Sequence, residues 1–558
     1  MTIDTDPAAA PAADRPLRHR HPRLLRAGAL TVAAVCALPM LAVLLAAFGA
    51  GGDTVRLLAG TVLPGYIGNT LALVTFVALG TGAIGTTAAW LVTAHDFPAR
   101  RLLEVLLVLP LAFPAYVVAY AYTDILDHPG IVQSTLRAVT GWGPRDYWFP
   151  EIRSLGGAAA MLTLVLYPYV YLLARAAFAQ HSGAAFLAAR TLGQGPRGAF
   201  LRVVLPMARP AIASGVLLAV METIADFGTV SFFGVPTFAT GIYTSWFSMA
   251  DRAAAAQLAL CLLGAALALA VLEYSTRGAA RFDTGARRQV ALGRSTLAGW
   301  RGGAATAFCT LPVILGCVLP AVTLAAMSRR SEQTLWSERY LDLLQNSVTL
   351  ATIAAGVTVT AAILLSYHAR LRRDRLSAAT LQIGRLGYAV PGGVIAVGLL
   401  VPFAAFDNAV DGVMETWFGI STGLLLTGSI WLLVAAYMIR FLAAAVGAYE
   451  SGQSTINENI DAAARSLGAS PYATLRRVHL PILRPSLLTA LLIVFVDVMK
   501  ELPATMIMRP FNFDTLAVQA HRLAADERLA GAAIPSLVIV AAGLLPVVVL
   551  CRSMASQK

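Results

Sequence analysis

Four acidic residues stand where acids are costly. Glu222 and Asp226 lie near the end of one long apolar run, and Asp497 and Glu501 lie near the end of another. Ionisable side chains inside membrane-length segments carry a functional expectation, and a spacing of four sets each pair on one helical face. Carboxylate oxygens are natural ligands for hard cations, so these four are translocation-path candidates. The competing reading is structural: they neutralise nearby bases, with Lys500 next to Glu501, or they cap helix ends. Catalytic motifs fail throughout. A P-loop requires a Gly-Lys-Ser/Thr ending, and the two lysines, Lys500 and Lys558, sit in no such context. None of the eight histidines forms H-E-x-x-H, and His479 and His521 stand alone. Gly419 to Gly423 spells G-I-S-T-G, but as the start of an apolar helix it lacks the strand–turn–helix setting of a nucleophile elbow. Cys36, Cys261, Cys309, Cys317 and Cys551 fall in apolar runs without metal-ligand spacing and read as small buried hydrophobes. The expectation is a chain with no catalytic residue, no firmly assigned metal site and no cofactor of its own.

The elements that must carry these acids follow from composition. The chain has 558 residues, 58% hydrophobic and 13% charged, with a mean hydropathy of +0.70. A soluble protein needs about 25% charged residues to cover itself, so a cytosolic enzyme is excluded. The net charge of +12 comes as short arginine bursts between apolar runs rather than one basic face, which argues for a lipid bilayer and against nucleic acid. About twelve stretches are long enough to span, near 27–49, 67–94, 102–123, 155–179, 207–232 and 254–274, then 303–327, 346–369, 379–406, 420–447, 485–508 and 530–551. One set of alternate loops holds about 27 Arg/Lys against about 11 in the other, so the positive-inside rule expects both termini in the cytoplasm.

The chain also repeats itself. Residues 188–210 read AARTLGQGPRGAFLRVVLPMARP and residues 463–485 read AARSLGASPYATLRRVHLPILRP. At an offset of 275 they match without gaps at Arg190/Arg465, Gly193/Gly468, Pro196/Pro471, Arg202/Arg477, Pro206/Pro481 and Pro210/Pro485. Asn69/Asn346 and Pro114/Pro391 echo at an offset of 277; for the asparagines helix-end capping is expected. The expected architecture is an all-α polytopic membrane protein built as two parallel six-helix repeats around a central path. Its parts are a basic N-terminal tail at 1–26, a first half at 27–285, a linker at 286–301 and a second half at 302–558. Each repeated segment reads as helix, sharp turn, helix. Gly193 and Gly468 end the first helix in the left-handed conformation, Gly195-Pro196 and Ser470-Pro471 start the second, and Pro206 and Pro481 close it.

These segments resemble the E-A-A-x-x-x-G loop of ABC importer permeases, the element that docks into the ATP-hydrolysing subunit. The acidic position is Leu187 in one copy and Ala462 in the other, with Asp461 adjacent. The resemblance implies that Ala188, Ala189, Arg190, Gly193 and Pro206, with Ala463, Ala464, Arg465, Gly468 and Pro481, form two ATPase-coupling loops. Residues 221–252 and 497–518 resemble the matching regions of fused iron(III) ABC importer permeases. That implies a bacterial inner-membrane permease for ferric iron. It works with an extracytoplasmic substrate-binding protein and two copies of a cytoplasmic ABC ATPase, which hold the ATP and magnesium. Permeases for thiamine, polyamines and phosphonates share this layout, and an ion-gradient-driven carrier is the alternative of a different class.

Overall fold

The computed structural model describes residues 23–49, 52–280 and 294–556, apart from 332, 334–336 and 373. Most of the basic tail and the first part of the linker lie outside them. The helices of the first half include α1 (Arg23–Gly49), α2 (Leu63–Ala94), α3 (Ala115–Leu126), α4 (Leu155–Thr191), α5 (Leu205–Ala225), α6 (Gly228–Phe232) and α7 (Arg252–Ala280). Those of the second half include α8 (Trp300–Val313), α9 (Leu319–Arg329), α10 (Glu338–Leu371), α11 (Gly392–Phe418), α12 (Ile430–Gln453), α13 (Glu458–Ser466), α14 (Arg484–Met499), α15 (Pro503–Met508), α16 (Leu516–Ala525) and α17 (Leu529–Ser556). Among the described residues ten helices are long and apolar enough to cross a bilayer, or twelve if each of two sharply bent pairs counts as one span. The protein is an all-α polytopic membrane protein. A two-residue parallel ladder, His95–Asp96 with Ser295–Thr296, is a small addition.

Proline places the breaks. The bend of 93° in the third span falls at Pro114, which enters α3 from extended backbone, and Pro391 enters α11 in the same way. Proline lacks the N–H that would continue a preceding helix. The expected spans 379–406 and 420–447 therefore shift. Residues Arg375–Leu386 form a separate helix, and the crossing helices run Gly392–Phe418 and Ile430–Gln453. Uniform apolarity across Pro391 hides that break from hydropathy. The G-I-S-T-G segment lies in the loop after α11 rather than in a helix. There Asp411 accepts from the Ser421 hydroxyl at 2.9 Å and from the backbone N–H of Thr422 at 2.6 Å and Gly423 at 2.9 Å.

Helices approach where side chains vanish, as expected in lipid, which offers no hydrophobic gain for association. A Cβ on Gly85 of α2 would stand 2.7 Å from the Val170 side chain, and one on Gly215 of α5 would stand 2.7 Å from the Val170 Cα. The same device joins the halves. α1 packs on α7 of its own half and reaches across to α10 and α11, where Gly398 lies against the backbone of Pro39. In return the arm α8–α9 packs on α17 of its own half and reaches α2 and α3 of the first. Gly316, in the wide turn between them, sits where a Cβ would be 2.8 Å from the Leu164 carbonyl and 3.1 Å from Pro110. Each half's first segment thus bridges the two halves. Cys36, Cys309 and Cys317 are buried as expected, whereas Cys261 is exposed on α7.

Candidate functional site

The two repeated segments fold into matching elbows. Gly193 and Gly468 take φ of +83° and +76°, a region open to glycine without steric cost. The closing bonds coincide. Gly193 N–H reaches the Arg190 carbonyl at 3.1 Å and Gln194 N–H the Ala189 carbonyl at 3.0 Å; Gly468 N–H reaches Arg465 at 2.9 Å and Ala469 N–H reaches Ala464 at 3.0 Å. This is the Schellman arrangement, which satisfies the last carbonyls of a helix. Pro196 and Pro471 open the next turn. The Ser470 hydroxyl accepts from Ala473 N–H at 3.2 Å, while Gly195 caps without a side chain. Arg190 donates to the Gln194 carbonyl and Arg465 to the Asp461 carbonyl, so both stiffen their own elbow. Leu192 and Leu467, at the tips, are 83% and 86% exposed. These leucines were not singled out from sequence, although their place immediately before each glycine was the available signal.

Pro206 departs from expectation. It does not close a helix, because a π turn at Phe200–Val204 leads directly into α5 and Pro206 sits in the first turn, where a missing N–H is tolerated. Pro481 does fall in the last short stretch before a 78° bend. The elbows are also held differently. In the second, Asp461 accepts from Arg370 at 2.7 Å and pairs with His479 Nε2 at 2.6 Å. Arg370 further donates to the Gln453 and Ile456 carbonyls. Burial alone would push the Asp461 carboxyl up, but the bonds from His479 and Arg370 outweigh it and hold it below the ordinary carboxylate range. At the repeat offset of 275 Asp461 is matched by Phe186. The first elbow is packed by rings instead, with Trp90 4.2 Å from Phe200 and 6.3 Å from Phe186.

All four acids line one cavity of about 140 Å³ between the halves. α5 ends at Ala225 and α14 at Met499, so Asp226 and Glu501 lie beyond their helices and share no helical face with Glu222 and Asp497. Both are caps. Asp226 accepts from Thr229 N–H and hydroxyl, each at 3.0 Å, and from Val230 N–H at 3.2 Å, starting α6. Glu501 accepts from Ala504 N–H at 2.9 Å, Thr505 N–H at 3.1 Å and the Thr505 hydroxyl at 2.6 Å, starting α15. Glu222 accepts from the Tyr388 hydroxyl at 2.9 Å. Lys500 pairs with Asp497 at 2.9 Å rather than with its chain neighbour Glu501. Among the described residues no three His, Cys, Asp or Glu side chains converge as a metal site. Arg440 of α12 also lines the cavity. Sequence reasoning missed it, although an arginine within a span is the same signal that marked the acids. Asn69 and Asn346 are not helix caps: they donate to the Pro236 carbonyl at 2.9 Å and the Asp514 carbonyl at 3.2 Å, tying each long helix to the far loop of its own half.

At the end opposite the elbows the halves meet through Arg153. It holds Glu527 at 2.5 and 2.7 Å and Asp127 at 3.1 Å, and stacks 5.2 Å from the Phe232 ring centre on α6. The Arg153 hydrogen bonds keep the Glu527 carboxyl below its ordinary range.

A family model described as "Binding-protein-dependent transport system inner membrane component" matches residues 81–333 and 358–556. The chain belongs to that family. This permease is 26% identical over 523 residues to the Fe(3+)-transport system permease protein FbpB 2 of Haemophilus influenzae, covering 92% of this chain and 95% of that one. It is 24% identical over 496 residues to the ferric transport system permease protein FbpB of Actinobacillus pleuropneumoniae, covering 84% of this chain and 68% of that one. A putative 2-aminoethylphosphonate transport system permease protein, PhnV of Salmonella typhimurium, is 31% identical over 157 residues, 28% of this chain and 53% of its own.

Proposed function

We propose that the chain is the path-forming subunit of an ATP-driven ferric iron importer in a bacterial inner membrane. Two copies of a separate cytoplasmic ATPase grip the elbows, and an extracytoplasmic binding protein delivers cargo at the opposite end. Both termini then lie on the cytoplasmic side, in keeping with the arginine distribution. The observation that carries the coupling is the pair of elbows closed by matching hydrogen bonds, each presenting an exposed leucine on a Schellman turn. A carrier driven by an ion gradient has no use for two such platforms. Closure of the ATPases would move the elbows and rock the halves about the cavity, as alternating access requires. The iron assignment is supported by the relatives that match along both halves, the Fe(3+) and ferric transport permeases covering 92% and 84% of this chain. The test is purification of the tagged permease with its ATPase, then uptake of radioiron, thiamine and 2-aminoethylphosphonate in a strain lacking its own iron permease. Recovery of an ATPase with iron-selective uptake is expected. Recovery of none would overturn the coupling, and selective uptake of another solute would overturn the iron assignment.

A further inference from the structure

The cavity wall is charged in a way that carboxylates alone do not explain. The acids recur across the repeat, Glu222 with Asp497 and Asp226 with Glu501, and each is already engaged by a donor of the chain itself. The cations do not recur. At the same offset Arg440 faces Val165 and Lys500 faces Ala225, and all four residues line the cavity. The fold therefore builds this wall in the first half without either base. Lys500 has Asp497 for a partner. Arg440 Nη1 is buried with no hydrogen-bond partner, and Arg440 and Lys500 line the same cavity. A guanidinium nitrogen withheld from water without an acceptor is costly. Its planar fork matches phosphate and carboxylate oxygens. With Lys500 balanced by Asp497, a cargo carrying both signs of charge would meet acids across both halves and Arg440 on one. The cavity of about 140 Å³ has room for such a cargo, since one water takes about 10–15 Å³ on this measure.

We propose that Arg440, supported by Lys500, makes the second-half wall of the cavity an oxyanion subsite, so that the cargo crosses as an ion accompanied by a small oxyanion. The identity of the ion rests on the iron reading above; the oxyanion contact rests on the cavity.

The test uses the whole transporter, permease with ATPase and binding protein, in proteoliposomes supplied with radioiron(III). The sole oxyanion is either ³²P-phosphate or ¹⁴C-citrate. With the unaltered chain, iron and the labelled oxyanion are expected to accumulate together at a constant ratio in at least one arm, and the arm identifies the oxyanion. Arg440→Gln is expected to lower accumulation of both by about tenfold or more, with Arg440→Lys partly restoring it. Iron entering with neither label, or at the normal rate in Arg440→Gln, overturns the proposal. Because the ratio is read on the unaltered chain, a variant that folds poorly does not decide the outcome. Oxyanion entering without iron, and dependent on Arg440, would uphold this subsite while overturning the iron reading.

Discussion

Replacing the elbow glycines separates backbone geometry from every other property of these loops. Gly193 and Gly468 sit at φ of +83° and +76°, and a Cβ built on either meets no atom within 4 Å. Alanine therefore introduces no clash, only left-handed strain of about 1–2 kcal/mol. A shift of that size changes the population of the bent elbow by about 5–30-fold. The sites lie in different halves with no shared partner, so the double variant should approach the sum, about 2–4 kcal/mol. Valine should cost more, being β-branched, whereas asparagine tolerates this region and should cost least. The assay is ATP-dependent radioiron uptake in proteoliposomes, with co-purification of the ATPase and a thermal melt to show that the helical core is intact. The expected order of uptake is Gly, Asn, Ala, Val, with the melt little changed. Undiminished uptake in the double valine variant would refute docking through the elbows. Asparagine failing as badly as valine would show that a bare surface, not a left-handed turn, is what the partner needs.

Three further outcomes are expected. Asp461→Ala should loosen the second elbow by about 1–3 kcal/mol, the cost of leaving buried donors without an acceptor, while the ring-packed first elbow is unaffected; hydrogen exchange at 455–470 against 188–198 measures both. Because the folded Asp461 carboxyl is held low, its contribution is complete above the ordinary carboxylate value of about 4 and fades as pH falls through the folded value, so acid should release the second elbow alone. At the arm crossing, a Cβ on Gly398 would stand 2.7 Å from the Pro39 Cα, and Gly398→Leu should destabilise the protein by about 1–3 kcal/mol or more by forcing α1 off α11; a normal melting temperature in detergent would mean that the first helix does not cross there.

The elements that could be read without a structure are those whose cause is local. A Gly that must take positive φ, a Pro that cannot donate, and a serine that can cap announce themselves within a few residues, so both elbows were legible down to Gly193, Gly468 and Ser470. The spans were legible because about 20 apolar residues in a row have one use. Pro206 misled for the same reason: its letter marks a missing N–H, but whether a π turn has already absorbed that loss depends on neighbouring packing.

Everything set by distant partners stayed hidden. The sequence alone determined that there are two like halves, where their elbows turn, and that four acids lie in costly places. Tertiary structure decided that α1 and α8–α9 each bridge the two halves, that Asp226 and Glu501 cap short helices, that Asp461 clamps one elbow where Phe186 serves the other, and that Arg440 joins the acids at a single cavity. Backbone conformation answers to a residue and its immediate neighbours, whereas the worth of a buried charge depends on which group, hundreds of residues away, comes within about 3 Å of it.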